Sequence, residues 1–160
     1  MLLDADLGTA NLDVLLGIIS RFSLYEVMRG ERSLEEVIVK GPGGIKLIPG
    51  ANGFKEMSYL DGVEKEQLEK KLEECTLEND FLLIDTGAGI SREVLSFISL
   101  AGEVIVVVTP EPTSLTDAYG LIKVICRLNP HQRIYIVVNM AVSTYEAVRT
   151  AEKIINVSRH

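Results

Sequence analysis

The stretch Phe81-Leu-Leu-Ile-Asp85-Thr-Gly-Ala-Gly-Ile-Ser91 decides the fold. Four apolar residues stop at an aspartate, a glycine-containing loop follows, and a helical segment from Ser91 to Ala101 comes next. The pattern recurs twice. Val104-Ile-Val-Val-Val108 leads into a helical segment from Thr113 to Leu128, and Ile134-Tyr-Ile-Val-Val138 leads into another from Ser143 to Ile155. Continuous apolar runs are how strands buried on both faces read. The order βαβαβα therefore predicts a doubly wound α/β fold, a mainly parallel sheet with helices on both faces, whose ligands sit at the carboxyl ends of the strands.

Upstream, Leu2-Leu3 reads as a strand, the polar segment Asp4-Ala-Asp-Leu-Gly-Thr-Ala-Asn11 as a loop, and Leu12 to Ile19 as an apolar stretch of helical length. Ser33-Leu-Glu-Glu36 has the spacing of a capping box and predicts a short helix ended by Gly41-Pro-Gly-Gly44. Ile45-Lys-Leu-Ile48 is a short strand, and Gly53 to Gly62 a loop with Met57 and Leu60 as anchors. From Glu64 to Leu77, Leu68, Leu72 and Cys75 share one helical face, and Glu66 and Lys70 pair on the wet one. Ser114 and Asp117 have the spacing of a second capping box.

Composition bounds the rest. At 160 residues with 47% hydrophobic and 24% charged residues, the chain is long enough for a single core-bearing domain spanning residues 1–160. Lys plus Arg is 16 and Asp plus Glu is 23, a net charge of −7. Such a surface repels phosphate backbones, which argues against nucleic acid as a partner. Cys75 and Cys126 form no CxxC pair and read as reduced packing residues. No run has the length of a membrane span or signal peptide, so a cytoplasmic location is expected. Met1-Leu2-Leu3-Asp4 enters a strand-like run with no turn or cap before it, as a chain entered partway would.

The carboxyl-end loops carry the candidate chemistry. Asp85 followed by Gly87 suits a hydrated Mg²⁺ beside a phosphate, because hard oxygen ligands hold the ion and bare backbone approaches anionic oxygens. The alternative is that Asp85 caps its loop or the following helix. Asp4 and Asp6 lie two residues apart where a strand ends, so they project to the same side. They either place a carboxylate near an attacking water or form a solvated strand end. Asn139 offers an amide donor and acceptor to a base edge, or caps a turn. His131 and His160 have no triad or ligand partner in the sequence pattern.

Taken in order, these segments resemble the MinD/ParA group of P-loop ATPases, which carry a deviant phosphate loop. Asp4-Ala-Asp-Leu-Gly-Thr-Ala-Asn-Leu-Asp-Val-Leu-Leu-Gly17 resembles switch I, and Ser33-Leu-Glu-Glu-Val37 with Gly44-Ile-Lys-Leu-Ile-Pro-Gly50 continues the match. Asp85-Thr-Gly-Ala-Gly-Ile-Ser91 resembles Walker B with switch II. Val107-Val-Thr-Pro-Glu-Pro-Thr-Ser-Leu-Thr-Asp-Ala118 and Val138-Asn139-Met140 resemble the adenine-side loops. Thr-Gly-Ala-Gly together with Pro-Glu-Pro-Thr-Ser points to the FlhG (FleN, YlxH) branch, which sets flagellar number and position.

The resemblance implies ATP and Mg²⁺ as cofactors. It implies that Asp6 orients or activates the hydrolytic water, Asp4 supports switch I, Asp85 holds Mg²⁺ through water and Gly87 approaches the γ-phosphate. Pro110, Glu111 and Asn139 fall on the adenine side. It also implies an ATP-dependent homodimer, flagellar assembly partners such as an FlhF-like GTPase, and peripheral contact with the inner face of the cell membrane. No G-x-x-x-x-G-K-[ST] occurs in the 160 residues. An N-terminally truncated switch domain without ATP hydrolysis of its own is therefore expected, with weakened folding or a rearranged sheet. The alternatives are a non-catalytic partner-binding module and a ParA-like partitioning relative.

Overall fold

The computed structural model describes residues 1–6, 8–50, 62–76 and 79–158. The loop expected at Gly53 to Gly62, with Met57 and Leu60, lies outside them apart from Gly62. The fold is α/β with mainly parallel strands, as the βαβαβα order predicts. The chain divides into two compact units, one holding Met1–Ala88 and Arg92–Leu100, the other Gly89–Ser91 and Ala101–His160. Strands pair within each unit, in one sheet of four and one of two.

In the first unit, β1 (Leu2–Ala5) lies parallel to both β3 (Lys46–Ile48) and β4 (Leu83–Thr86), and β2 (Val39–Lys40) runs antiparallel to β3. The sheet order is β2-β3-β1-β4. Leu3, Ala5 and Ile48 cluster with Leu24 and Val27 of α2 (Leu24–Met28), and with Leu34 and Val37 of α3 (Leu34–Val37). Leu68 and Leu72 of α4 (Gly62–Thr76) and Phe97 of α5 (Arg92–Leu100) complete the core.

Local chemistry explains where these helices start and stop. Ser33 and Glu36 form the reciprocal capping box that their spacing predicts, and Ser23 and Glu26 form another. The first helix, α1, spans only Leu12–Leu16, short of the expected run to Ile19. Gly17 stops it by taking a left-handed conformation, φ 66°, and its N–H bonds the carbonyls of Asp13 and Val14. On α4, Leu68 and Leu72 are buried, Cys75 is half-buried, and Lys70 donates to Glu66 at 2.9 Å on the wet face.

In the second unit, β5 (Glu103–Val108) and β6 (Arg133–Val138) are parallel from Glu103 beside Arg133 to Val108 beside Val138. The helices α6 (Pro112–Leu128) and α7 (Thr144–Ser158) pack on β5, on β6 and on each other. Val104, Val106 and Val108 are buried among them, with Ala118, Ile122, Ile125 and Ile154. Burial on both faces, expected from the continuous apolar runs, is not found here. Ile105, Val107, Tyr135 and Val137 are exposed, because the covering helices leave one face of this two-stranded sheet open. Cys126 is likewise exposed rather than a packing residue.

The expected Ser114–Asp117 box at α6 is absent. Pro112 starts the helix, where a missing N–H costs nothing, and the Ser114 hydroxyl accepts from Thr109 N–H at 2.9 Å.

Candidate functional site

The register of the first sheet puts Asp4 beside Asp85 and Ala5 beside Thr86. One step further along each strand come Asp6 and Gly87, at the carboxyl ends where a parallel α/β sheet presents its ligand groups. A Cβ at Gly87 would lie 3.2 Å from Asp6 Oδ1, closer than most real side-chain contacts, so glycine is what lets the two loops approach. Gly50 plays the same part beside Asp4: a Cβ there would meet the Asp4 carbonyl at 2.6 Å and Ala10 Cβ at 2.9 Å.

Asp4 is 2% exposed, and a charge so buried needs partners. Its Oδ1 accepts from Asp6 N–H at 3.2 Å, and its Oδ2 from Asn11 N–H at 2.9 Å and Leu12 N–H at 3.0 Å. These last two are free donors at the start of α1, so Asp4 anchors the helix and draws the 6–11 loop across the end of β1. Asp6 is held from within its own loop. Oδ1 accepts from the N–H of Gly8 and of Thr9, both at 3.1 Å, and Oδ2 accepts from the Thr9 hydroxyl at 2.7 Å. The Thr9 hydroxyl above all lowers the Asp6 pKa, since it favours the charged form.

Asp85 shifts the opposite way. It is exposed at its outer edge, yet the chain around its carboxyl partly desolvates it, and the negative charges of Asp4 and then Asp6 add to the effect. All three raise its pKa.

The second unit carries the remaining sequence-predicted positions. Pro110 and Glu111 follow β5, and Asn139 follows β6, where its N–H bonds the Val108 carbonyl at 2.8 Å and carries the ladder one residue past the strand. Asn139 Oδ1 accepts from Met140 N–H at 2.9 Å, and Met140 has a left-handed backbone, φ 58°. Glu111 caps α6 by backbone position alone. Thus Asp4, Asp6, Asp85 and Gly87 come together in the first unit, while Pro110, Glu111 and Asn139 belong to the second.

Sequence reasoning passed over one residue of this site. Thr9 was legible as a hydroxyl three places after an aspartate that turns the chain. Thr109, which opens the polar loop Thr109-Pro-Glu-Pro112 singled out by its place after an apolar run, has a buried hydroxyl oxygen without a partner among the described residues.

No family model matches the chain. The antiactivator FleN of Pseudomonas aeruginosa is 41% identical over 158 residues, which cover 99% of this chain and 56% of FleN. The chain belongs to the MinD/ParA family. Its match to the flagellum site-determining protein YlxH of Helicobacter pylori is 32% over 157 residues, 98% of this chain and 53% of YlxH. The chain thus spans about half the length of these curated relatives. The MinD/ParA fold is evident as well in the septum site-determining protein MinD complexed with Mg-ADP from Pyrococcus horikoshii. That structure matches with a TM-score of 0.75 at 24% identity, over 98% of this chain and 63% of the other.

The Pyrococcus horikoshii MinD is complexed with Mg-ADP, and the residues of the first unit fit such an ion. Partial burial first, and then the charges of Asp4 and Asp6, raise the pKa of Asp85, a penalty that a bound cation relieves. Among the described residues no three His, Cys, Asp or Glu side chains are grouped to hold a metal by themselves. Mg²⁺ keeps several waters and takes one or two carboxylates together with phosphate oxygens.

Proposed function

We propose that this chain is the switch-bearing part of an ATP-dependent molecular switch of the MinD/ParA type that regulates flagellar number and placement. The observation that carries the proposal is the block of Asp4, Asp6, Asp85 and Gly87 at the ends of β1 and β4. Asp85 holds Mg²⁺ through water, Gly87 leaves room for the γ-phosphate, and Asp6 orients the water that attacks it. Asp4 fixes the loop that carries Asp6. Pro110, Glu111 and Asn139, which belong to the second unit, are assigned to the adenine side by the family resemblance alone. Bound Mg²⁺ supplies compensation for phosphate charge; the protein's own part is to position the ion, the loop and the water.

The name of YlxH, a flagellum site-determining protein, supports the flagellar assignment. ATP-dependent pairing of two copies, flagellar assembly partners such as an FlhF-like GTPase, and peripheral contact with the inner face of the cell membrane belong to the same proposal. No helix among the described residues is long and apolar enough to cross a membrane.

Calorimetry with Mg²⁺-ATP on two samples tests the proposal. The 160 residues alone, which contain no G-x-x-x-x-G-K-[ST], are expected to bind ATP weakly and not to hydrolyse it. The full natural protein is expected to bind and slowly turn it over. Tight binding by the 160 residues alone would mean that the phosphate grip lies elsewhere, and no nucleotide binding by the full protein would end the proposal.

A further inference from the structure

An ionised carboxylate offers about four lone-pair sites. At Asp6 three are taken by its own loop: both on Oδ1, by Gly8 N–H and Thr9 N–H, and one on Oδ2, by the Thr9 hydroxyl. Among the described residues nothing takes the fourth acceptor site, which is on Oδ2. Gly87 lies on the Oδ1 side, where a Cβ would come 3.2 Å from Oδ1 and 3.7 Å from Oδ2. The two N–H donors restrain Oδ1 alone. Among the described residues only the hydroxyl bond ties down the second oxygen, and at 2.7 Å it is the shortest of the three.

We propose that Thr9 is a positioning residue for hydrolysis: its hydroxyl fixes the rotation of the Asp6 carboxylate and leaves one direction in which that carboxylate accepts a proton from water. The inference rests on the proposed function, in which Asp6 orients the attacking water. A carboxylate free on Oδ2 would take water at two sites, and only one of these places the water oxygen for attack. Alignment of this kind acts in the transition state and contributes little to the binding of ATP itself.

Thr9 is exposed, so Thr9→Val removes the hydroxyl while keeping the shape and disturbs no core packing. The test uses the full natural protein with Mg²⁺-ATP and compares Thr9→Val, Thr9→Ser and Asp6→Asn by ATP affinity and single-turnover hydrolysis. Thr9→Val is expected to slow hydrolysis about 10- to 100-fold, with ATP affinity held within about 3-fold. Thr9→Ser, which restores the hydroxyl, is expected to recover most of the rate.

Asp6→Asn separates the two levels of the argument. If Asp6→Asn is inactive while Thr9→Val runs at the parental rate, the Thr9 inference alone is overturned. A Thr9→Ser rate as low as that of Thr9→Val, or a Thr9→Val affinity loss as large as its rate loss, overturns it too. If Asp6→Asn keeps the parental rate, or the parent itself shows no turnover, the proposed function fails and this inference with it.

Discussion

Asp6 follows the end of β1 and Asp85 lies within the last residues of its parallel neighbour β4, and the two carboxyls are driven in opposite directions. Asp6 receives three hydrogen bonds from its own loop, and its pKa is lowered, chiefly by the Thr9 hydroxyl. Asp85 is partly desolvated, faces Asp4 and Asp6, and its pKa is raised. The residue type is the same, so the difference comes from surroundings: the loop after β1 donates hydrogen bonds to Asp6, whereas partial burial and then the charges of Asp4 and Asp6 act on Asp85. The contrast separates two tasks: a carboxylate held charged and aimed, and one whose charge is left for a cation to balance.

The largest expected effects test whether those tasks are separate. In the full natural protein, Asp6→Ala is expected to slow single-turnover ATP hydrolysis ~100-fold or more while ATP affinity stays near the parental value. Asp85→Ala is expected to lower affinity and rate together, each by ~10-fold or more, the scale of one charged hydrogen bond lost from the ion's shell. If the two variants share one profile, the carboxylates act as one group and the contrast has no functional content.

A smaller effect is expected on the support beneath the first loop. Gly50→Ala puts a methyl 2.6 Å from the Asp4 carbonyl and 2.9 Å from Ala10 Cβ, both on short, packed segments that have little room to yield. A loss of ~1–3 kcal/mol in denaturant-induced unfolding is expected, typical of an overpacked site. Unchanged stability would mean that the loop carrying Asp6 moves more freely than its hydrogen bonds to Asp4 imply.

Much of this arrangement was legible in the sequence, and the misses have local causes. The strand runs at Val104 to Val108 and Ile134 to Val138, the face of Leu68 and Leu72, and the Ser33–Glu36 box depend on short-range pattern and appear as read. The Ser23–Glu26 box had the same signal and was passed over. Strand β4 lies two residues later than its apolar run, at Leu83–Thr86, because pairing with β1 draws Asp85 and Thr86 into the ladder. Apolarity does not report that register. Two-residue β2 is too short for any periodicity. The aspartates themselves were visible, but their opposite environments were not. Those depend on hydrogen bonds from Thr9 and on a register between strands some eighty residues apart, neither of which a linear pattern encodes.

The smallest expected effect is in the pH dependence of folding, and here the two aspartates should disagree in sign. Asp6 has a folded pKa below the ordinary aspartate value of about 4, so its contribution is fully present above that value. It is lost as pH falls through the window beneath. Asp85 has a folded pKa above the ordinary value, so between the two the folded state keeps a proton that the unfolded state has released. Stability therefore declines as pH rises through that window and stays at the lower level beyond it. Removing each charge in turn isolates the two windows. Relative to Asp85→Asn, the parent should lose stability as pH rises from about 4 and then level off; relative to Asp6→Asn, it should gain as pH rises toward about 4. Solvent screens both groups, so the differences are small and call for paired denaturation curves at low ionic strength. Curves that shift the same way for both variants would show that the loops place their carboxylates in like environments, and the contrast between Asp6 and Asp85 would reduce to position alone.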